Sequence, residues 1–365
     1  MGKKVLYSAS TYSHLKNFHL PYLKAFQQAG WTTHAICGGA PMDLPYVDRV
    51  IHVPFTKSIT SPENFGCVGR ISALLKAEQY DLISTHTALA AFFTRLAVPR
   101  FGTRPRVINT VHGYLFDESG GGRRALLLGA EKLTAAVTDT ILTMNEADYE
   151  IATAHHLAQA VINTPGMGVD LARFPAQTAQ TKAAARSALG LDPEAFYLVY
   201  AAEFSGRKNQ SFLIRALPKL PPAVKYLLLG RGDLLADCQA LAQELGVGER
   251  IVFPGHVQTA PYLTAADCCV SASRSEGLPF NLMEAMATGL PIVASAAKGH
   301  TDLCTGPQAE LAFPRDDEAA YLRSVLRLAE NPALCRTLAA YNQEQVVQYG
   351  VEQVLPKLLE LYGGL

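Results

Sequence analysis

Two glutamates eight residues apart, Glu276 and Glu284, stand in the segment Ser273-Arg274-Ser275-Glu276-Gly277-Leu278-Pro279-Phe280-Asn281-Leu282-Met283-Glu284. The order of residue types gives the segment its chemistry. A strand is expected to end near Ser273, and Glu276 then sits on a loop. Gly277 permits a backbone angle that other residues avoid, and Pro279 opens a helix. The first turn of a helix offers N–H groups without intrahelical partners and the positive end of a dipole, which suits a diphosphate. Carboxylates accept paired hydrogen bonds from vicinal hydroxyls such as those of sugars and ribose. Glu276, Gly277, Leu278, Pro279 and Glu284 therefore form a candidate site for one extended ligand with a diphosphate and hydroxyl-rich ends.

Three further stretches could take part. Arg207-Lys208-Asn209 follows the strand expected at Tyr197–Ala201. Cations at a helix start oppose the dipole unless an anion is present, so Arg207 and Lys208 read as counter-charges for a leaving diphosphate. His112-Gly113 follows the strand expected at Arg106–Thr110. Gly230-Arg231-Gly232 and Phe253-Pro254-Gly255-His256-Val257 also follow strands. Small residues there let backbone and ligand approach, which adds Gly230, His256 and Val257 to the candidates.

The elements that must position these residues alternate as short apolar runs and longer helical patterns, the pattern of βαβ units and parallel sheets. The first half is expected to have strands at Lys4–Ser8, Thr32–Ile36, Leu82–Thr85, Arg106–Thr110, Thr140–Met144 and Val161–Thr164, with a loop around Thr11–Asn17 leading into a helix to Gly30. The second half is expected to have them at Tyr197–Ala201, Lys225–Leu229, Ile251–Phe253, Asp267–Ser271 and Pro291–Ala294. The divisions expected are 1–168 for an N-terminal Rossmann-like domain, 169–345 for a C-terminal Rossmann-like domain, and 346–365 for a C-terminal helix packing back on the first domain. Ligands of such sheets gather at the carboxyl ends of the strands.

Residues Ser273–Pro291 resemble the E-x7-E motif of family 4 of the retaining glycosyltransferases, and the resemblance extends over nearly the whole chain, most specifically Tyr197–Pro314. It implies the α/β GT-B fold, two Rossmann-like domains facing each other across a cleft, with 1–168 binding the acceptor and 169–345 the nucleotide sugar. It implies that Glu276 approaches the transferred sugar and Glu284 the nucleotide ribose. Lys208-Asn209 is similar to the family's Lys-Asn or Lys-Gly pair, and His112 to a histidine that donates a hydrogen bond to the sugar. Gly230 matches a Gly-x-Gly turn, and the His256-Val257 stretch a segment whose backbone meets the base. The chain departs from the commoner pattern at Ala202-Glu203-Phe204, where many members have Gly-Arg-Leu. Glu203 replaces their phosphate-binding arginine, and Arg207 is the expected substitute. Arg207-Lys208-Asn209-Gln210 and Gly299-His300-Thr301-Asp302 resemble bacterial capsule and exopolysaccharide enzymes. A UDP-sugar donor of a hexose or N-acetylhexosamine follows, with a glycan or polyprenyl-diphosphate-linked acceptor.

Composition narrows the classes. Formal net charge is zero, so a nucleic-acid partner is not expected. Up to Lys132, however, 15 Lys and Arg stand against 8 Asp and Glu. Arg95, Arg100, Arg104, Arg106, Arg123 and Arg124 carry much of this excess and suggest peripheral contact with an anionic membrane surface. Seven scattered cysteines without a C-x-x-C pair suggest neither disulfides nor a zinc site and fit a reducing cytoplasm, on the inner face of the membrane. No Asp-x-Asp triplet occurs. No metal or cofactor is expected at the diphosphate, whose counter-charge falls to Lys208, Arg207 and the helix end. Two other readings use the same architecture: a nucleotide-sugar epimerase, which needs no acceptor, and a non-catalytic nucleotide-sugar-binding subunit.

Overall fold

A computed structural model describes residues 2–56, 60–114 and 121–363. The chain divides into two units, Met1–Met167 with Glu352–Leu365, and Gly168–Val351. The return to the first unit thus begins at Glu352 rather than at 346.

The first unit is built on seven parallel strands: β1 (Lys4–Thr11), β2 (Thr32–Gly38), β3 (Arg49–His52), β4 (Leu82–His86), β5 (Arg106–Thr110), β6 (Thr140–Thr143) and β7 (Ala160–Asn163). Their order is β3-β2-β1-β4-β5-β6-β7. The central strands are buried along most of their length because helices cover a parallel sheet on both faces. Strand β3 was not expected from the sequence. It is a four-residue edge strand with a largely exposed pattern, so it lacks the apolar run that marks the others.

The loop expected around Thr11–Asn17 is instead a helix, Tyr12–Phe18, followed by a second helix, Leu20–Gln28. Thr11 caps the first by accepting from the His14 N–H, and His19 ends it. Short capped helices of this kind have too few turns to show a periodic apolar face. The helix Val351–Leu361 leads to Tyr362, which is 2% exposed and packs its ring among those of Tyr7, Tyr22 and Phe26.

The basic excess of this unit is partly internal. Arg95 is fully buried and forms a two-pronged pair with Glu131 at 3.0 Å, with Thr138 and the Ala91 carbonyl as further acceptors. Arg104 pairs with both oxygens of Asp139 at 2.7 Å. These two arginines are therefore spent on the fold; Arg100, Arg106, Arg123 and Arg124 are exposed.

The second unit has five parallel strands: β8 (Phe196–Ala201), β9 (Val224–Leu229), β10 (Ile251–Gly255), β11 (Cys268–Ser271) and β12 (Ile292–Ala294), in the order β10-β9-β8-β11-β12. Its core gathers Leu198, Tyr200, Tyr226, Leu228, Val270, Phe313 and Tyr321. The loops after all five strands emerge along one edge of the sheet, since every neighbouring pair is parallel.

The Arg95–Glu131 pair gives a clear stability test. Glu131→Ala leaves a guanidinium buried without its carboxylate, and unfolding by denaturant is expected to show a loss of about 3–5 kcal/mol. The double change Arg95→Met with Glu131→Leu should recover most of that loss, because no charge then remains buried.

Candidate active site

In the second unit the loops after β8 and β11 bring three of the expected residues together. The Glu276 carboxylate is 8% exposed. Arg207 Nη1 donates to its Oε2 at 2.9 Å and to the Ser275 carbonyl at 2.8 Å. Lys208 Nζ donates to its Oε1. Burial alone would raise the Glu276 pKa, but Lys208 and Arg207, with His300 behind them, hold it down at about 2. Burial draws Lys208 below its ordinary value while Glu276 opposes that shift. Two cations thus share one buried carboxylate, which leaves the cluster one positive charge in excess.

The loops are fixed from beneath. The Tyr200 hydroxyl meets Ser273 Oγ at 2.7 Å and donates to the Lys208 carbonyl at 3.2 Å. Ser295 Oγ donates to the Ser273 carbonyl, and buried His300 meets Ser271 Oγ at 3.1 Å. Asn209 begins the helix Gln210–Ala216 with a positive φ of 55° and donates to Asp316 at 3.2 Å. Gly299 lies so close that a Cβ there would stand 2.5 Å from the Gly277 carbonyl oxygen. The chain therefore admits only glycine between this loop and the one bearing Glu276.

Gly277, Leu278 and Pro279 lead into the helix Phe280–Thr288, capped at Pro279. Asn281 Nδ2 in its first turn and Ser205 Oγ on the β8 loop are buried with no hydrogen-bond partner among the described residues. Buried polar groups rarely stay unsatisfied, so both are open to a bond from a ligand or a water.

Glu284 lies farther along the same helix and accepts from Thr259 Oγ1 at 3.0 Å. No cation pairs with it among the described residues. Burial pushes its carboxyl up to about 7, against small opposing effects of Thr259 and Arg173. Its environment is thus the reverse of that of Glu276: one carboxylate is neutralised by cations, and the other waits for hydrogen-bond donors.

Gly230 and His256 follow neighbouring strands, and the Gly230 N–H donates to the Gly255 carbonyl at 2.8 Å. A Cβ at Gly230 would overlap the Ala202 carbonyl at 1.9 Å. The demand for glycine there comes from the protein's own backbone. His256 is exposed and Val257 partly buried.

His112 belongs to the first unit, after β5. Its Nε2 lies 3.3 Å from His14 Nε2 and 3.3 Å from His86 Nδ1. Burial, with smaller contributions from His14 and His86, drives its pKa well below the ordinary histidine range, so it is neutral. A cavity of about 220 Å³ beside it is lined by Thr87, Phe92, Asn109, Tyr114 and Leu127 among others. The sequence did not flag His19, Thr259 or Tyr200, because each acts through a neighbour distant in the chain.

The family described as Glycosyltransferase Family 4 matches residues 22–173, and that described as Glycosyl transferases group 1 matches residues 195–331. A protein of Bacillus subtilis (strain 168) named as glycosyltransferase EpsD is 30% identical, over 99% of this chain and 97% of that one. The chain is a family 4 glycosyltransferase.

Further similarity is to UDP-Gal:alpha-D-GlcNAc-diphosphoundecaprenol alpha-1,3-galactosyltransferase of Escherichia coli, 24% identical over 97% of this chain and 98% of that one. Among solved structures, sucrose-phosphate synthase from Thermosynechococcus elongatus superposes with a TM-score of 0.82 at 21% identity, covering 99% of this glycosyltransferase and 98% of that chain. Anabaena HepE in complex with UDP and glucose gives 0.80 at 19%, covering all of both chains. The shared fold is GT-B, and the family assignment makes the protein a transferase.

Glu284 supplies a test independent of any ligand. Its folded pKa of about 7 lies above the unfolded value, so its contribution to stability is full at low pH and is lost as pH rises through 7. Glu284→Gln is expected to raise the melting temperature at about pH 8.5 and to change it little at about pH 4. An unchanged difference across that range would show that the carboxyl titrates normally.

Proposed function

We propose that this glycosyltransferase moves a hexose or N-acetylhexosamine, with retention, from a UDP-sugar to a glycan or polyprenyl-diphosphate-linked acceptor in cell-surface polysaccharide synthesis. The observation that carries the reading is the cluster of Glu276, Lys208 and Arg207 on the loops after β8 and β11, with the helix Phe280–Thr288 starting beside Glu276.

Lys208, Arg207 and the helix N-terminus stabilise the departing diphosphate, where negative charge grows in the transition state. Glu276 is ionised and buried, ready to accept from hydroxyls of the transferred sugar. Glu284 accepts from the two ribose hydroxyls, which would compensate its burial. Leu278, Pro279, Asn209, Gly230, His256 and Val257 complete the donor contacts, and His112 serves the sugar as a neutral hydrogen-bond donor. The acceptor hydroxyl attacks on the face from which the diphosphate leaves, and a phosphate oxygen takes its proton. No enzymic nucleophile is invoked, and no divalent cation is assigned to the diphosphate.

The lipid-linked acceptor draws support from the galactosyltransferase relative, whose name specifies a diphosphoundecaprenol substrate. It also draws support from the first unit's surface. Phe101 is 91% exposed, and Arg100 donates to the carbonyl of exposed Leu133 at 3.0 Å. Exposed apolar residues among arginines suit an anionic membrane surface. No helix among the described residues is long and apolar enough to cross a membrane.

The deciding experiment combines binding and turnover. In excess EDTA, UDP-sugars are expected to raise the melting temperature, by about 2.7 kcal/mol of added stability at 100-fold over the dissociation constant. Lys208→Ala should then lower kcat by about 10²–10³ with a smaller effect on donor binding. Near-normal turnover would remove Lys208 from the mechanism. Conversion of the donor to an epimer without acceptor would favour the isomerase reading.

A further inference from the structure

We propose that His14, His19, His86 and His112 form a binding site for one zinc ion in the first unit. One ring nitrogen from each of the four lies within 4.8 Å of the other three. The contacts run from His19 Nε2 to His14 Nε2 at 3.2 Å, from His14 Nε2 to His112 Nε2 at 3.3 Å, and from His112 Nε2 to His86 Nδ1 at 3.3 Å. Nitrogens bound at about 2.0–2.1 Å to a tetrahedral Zn²⁺ stand about 3.3–3.4 Å apart. These three spacings match that edge, and the other three pairs, all within 4.8 Å, would have to draw in as the ion binds.

Hydrogen bonding among the rings is a poor alternative. A ring nitrogen carries either one N–H or one lone pair, directed along a single in-plane line. His14 Nε2 and His112 Nε2 each have two nitrogen neighbours, so neither can serve both by linear hydrogen bonds. A cation among the four nitrogens would let each offer a lone pair in place of these crowded contacts.

The fold builds the site from three adjacent strands. His14 and His19 lie on the segment after β1, His86 is the last residue of β4, and His112 follows β5. In the sheet β4 lies between β1 and β5. Ser84 Oγ meets His86 Nε2 at 2.9 Å, and with its proton there His86 presents the Nδ1 lone pair to the other rings. Such outer partners fix the tautomer of metal-binding histidines. Beyond His86, Thr87 holds a positive φ of 63°, rare for a β-branched residue, and its hydroxyl accepts from the Ser10 N–H at 2.8 Å. Strained backbone is thus maintained where it sets the His86 ring.

Four imidazoles favour Zn²⁺ among common divalent ions; Mg²⁺ and Mn²⁺ prefer oxygen. The ion is therefore not a diphosphate-bridging metal. It would clamp three strand-end loops and leave His112 with its proton on Nδ1, as a donor only. Positions 14, 19, 86 and 112 form no short ligand motif, so the set is visible only once the strand order is known.

The test uses the full chain without a histidine tag, stripped with chelator and titrated with Co²⁺ and then Zn²⁺. One Co²⁺ per chain with the intense visible bands of four-coordinate nitrogen ligation, displaced by one Zn²⁺, is expected. His19→Asn and His86→Asn should each weaken binding at least about tenfold, and Ser84→Ala about tenfold through His86. Folded wild-type protein that takes up no stoichiometric Co²⁺ or Zn²⁺ would overturn the proposal, as would uptake unchanged in both histidine variants. The wild-type titration decides the matter even if a variant folds poorly. A UDP-induced thermal shift measured alongside reports the donor site separately, so failure of one reading is not failure of the other.

Discussion

A carboxylate buried among loops can stay ionised only if cations come with it, and the second unit is arranged around that demand. Glu276 is held by Lys208 and Arg207, which arrive on a loop nearly seventy residues earlier in the chain. Removing a partner from such a cluster leaves an uncompensated buried charge, which is strongly unfavourable. Fixing this one carboxylate therefore fixes the register of two strand-end loops. The Tyr200, Ser273, Ser295 and His300 hydrogen bonds beneath them, and the glycine demanded at position 299, follow from the same closeness.

The placing of both cations at Glu276 also explains why the two glutamates can differ so much. Glu276 has its counter-charges in the protein, whereas Glu284 has one hydroxyl donor and a raised pKa. Identical side chains on one loop-helix segment are thereby given opposite electrostatic characters, one strongly acidic and one poised near neutrality. The parallel sheet makes this possible by delivering every loop to one edge.

Much of the second unit was legible in the sequence because its strands are short buried apolar runs bounded by glycine and proline. All five expected strands are present within a residue or two of their expected limits. Glu276, Lys208 and Arg207 were legible through the types of residue around them. What escaped was of two kinds. Edge strand β3 and the helix Tyr12–Phe18 lack the periodic apolar signal. Arg95 and Arg104 read as surface charge, since nothing local to either announces Glu131 or Asp139 thirty-five or so residues away. The four-histidine cluster belongs to the second kind, as do the partners Thr259 and Tyr200: they become visible only when strand order is known.

Tyr362 has a bearing on how the molecule is made. Its ring completes an aromatic core with Tyr7, Tyr22 and Phe26, and its hydroxyl meets Ser84. Every residue of the second unit lies between these partners in the chain. On the ribosome, where domains generally fold in the order they emerge, the first unit must wait with an open core while the second is synthesised and can fold ahead of it. The part begun first is finished last.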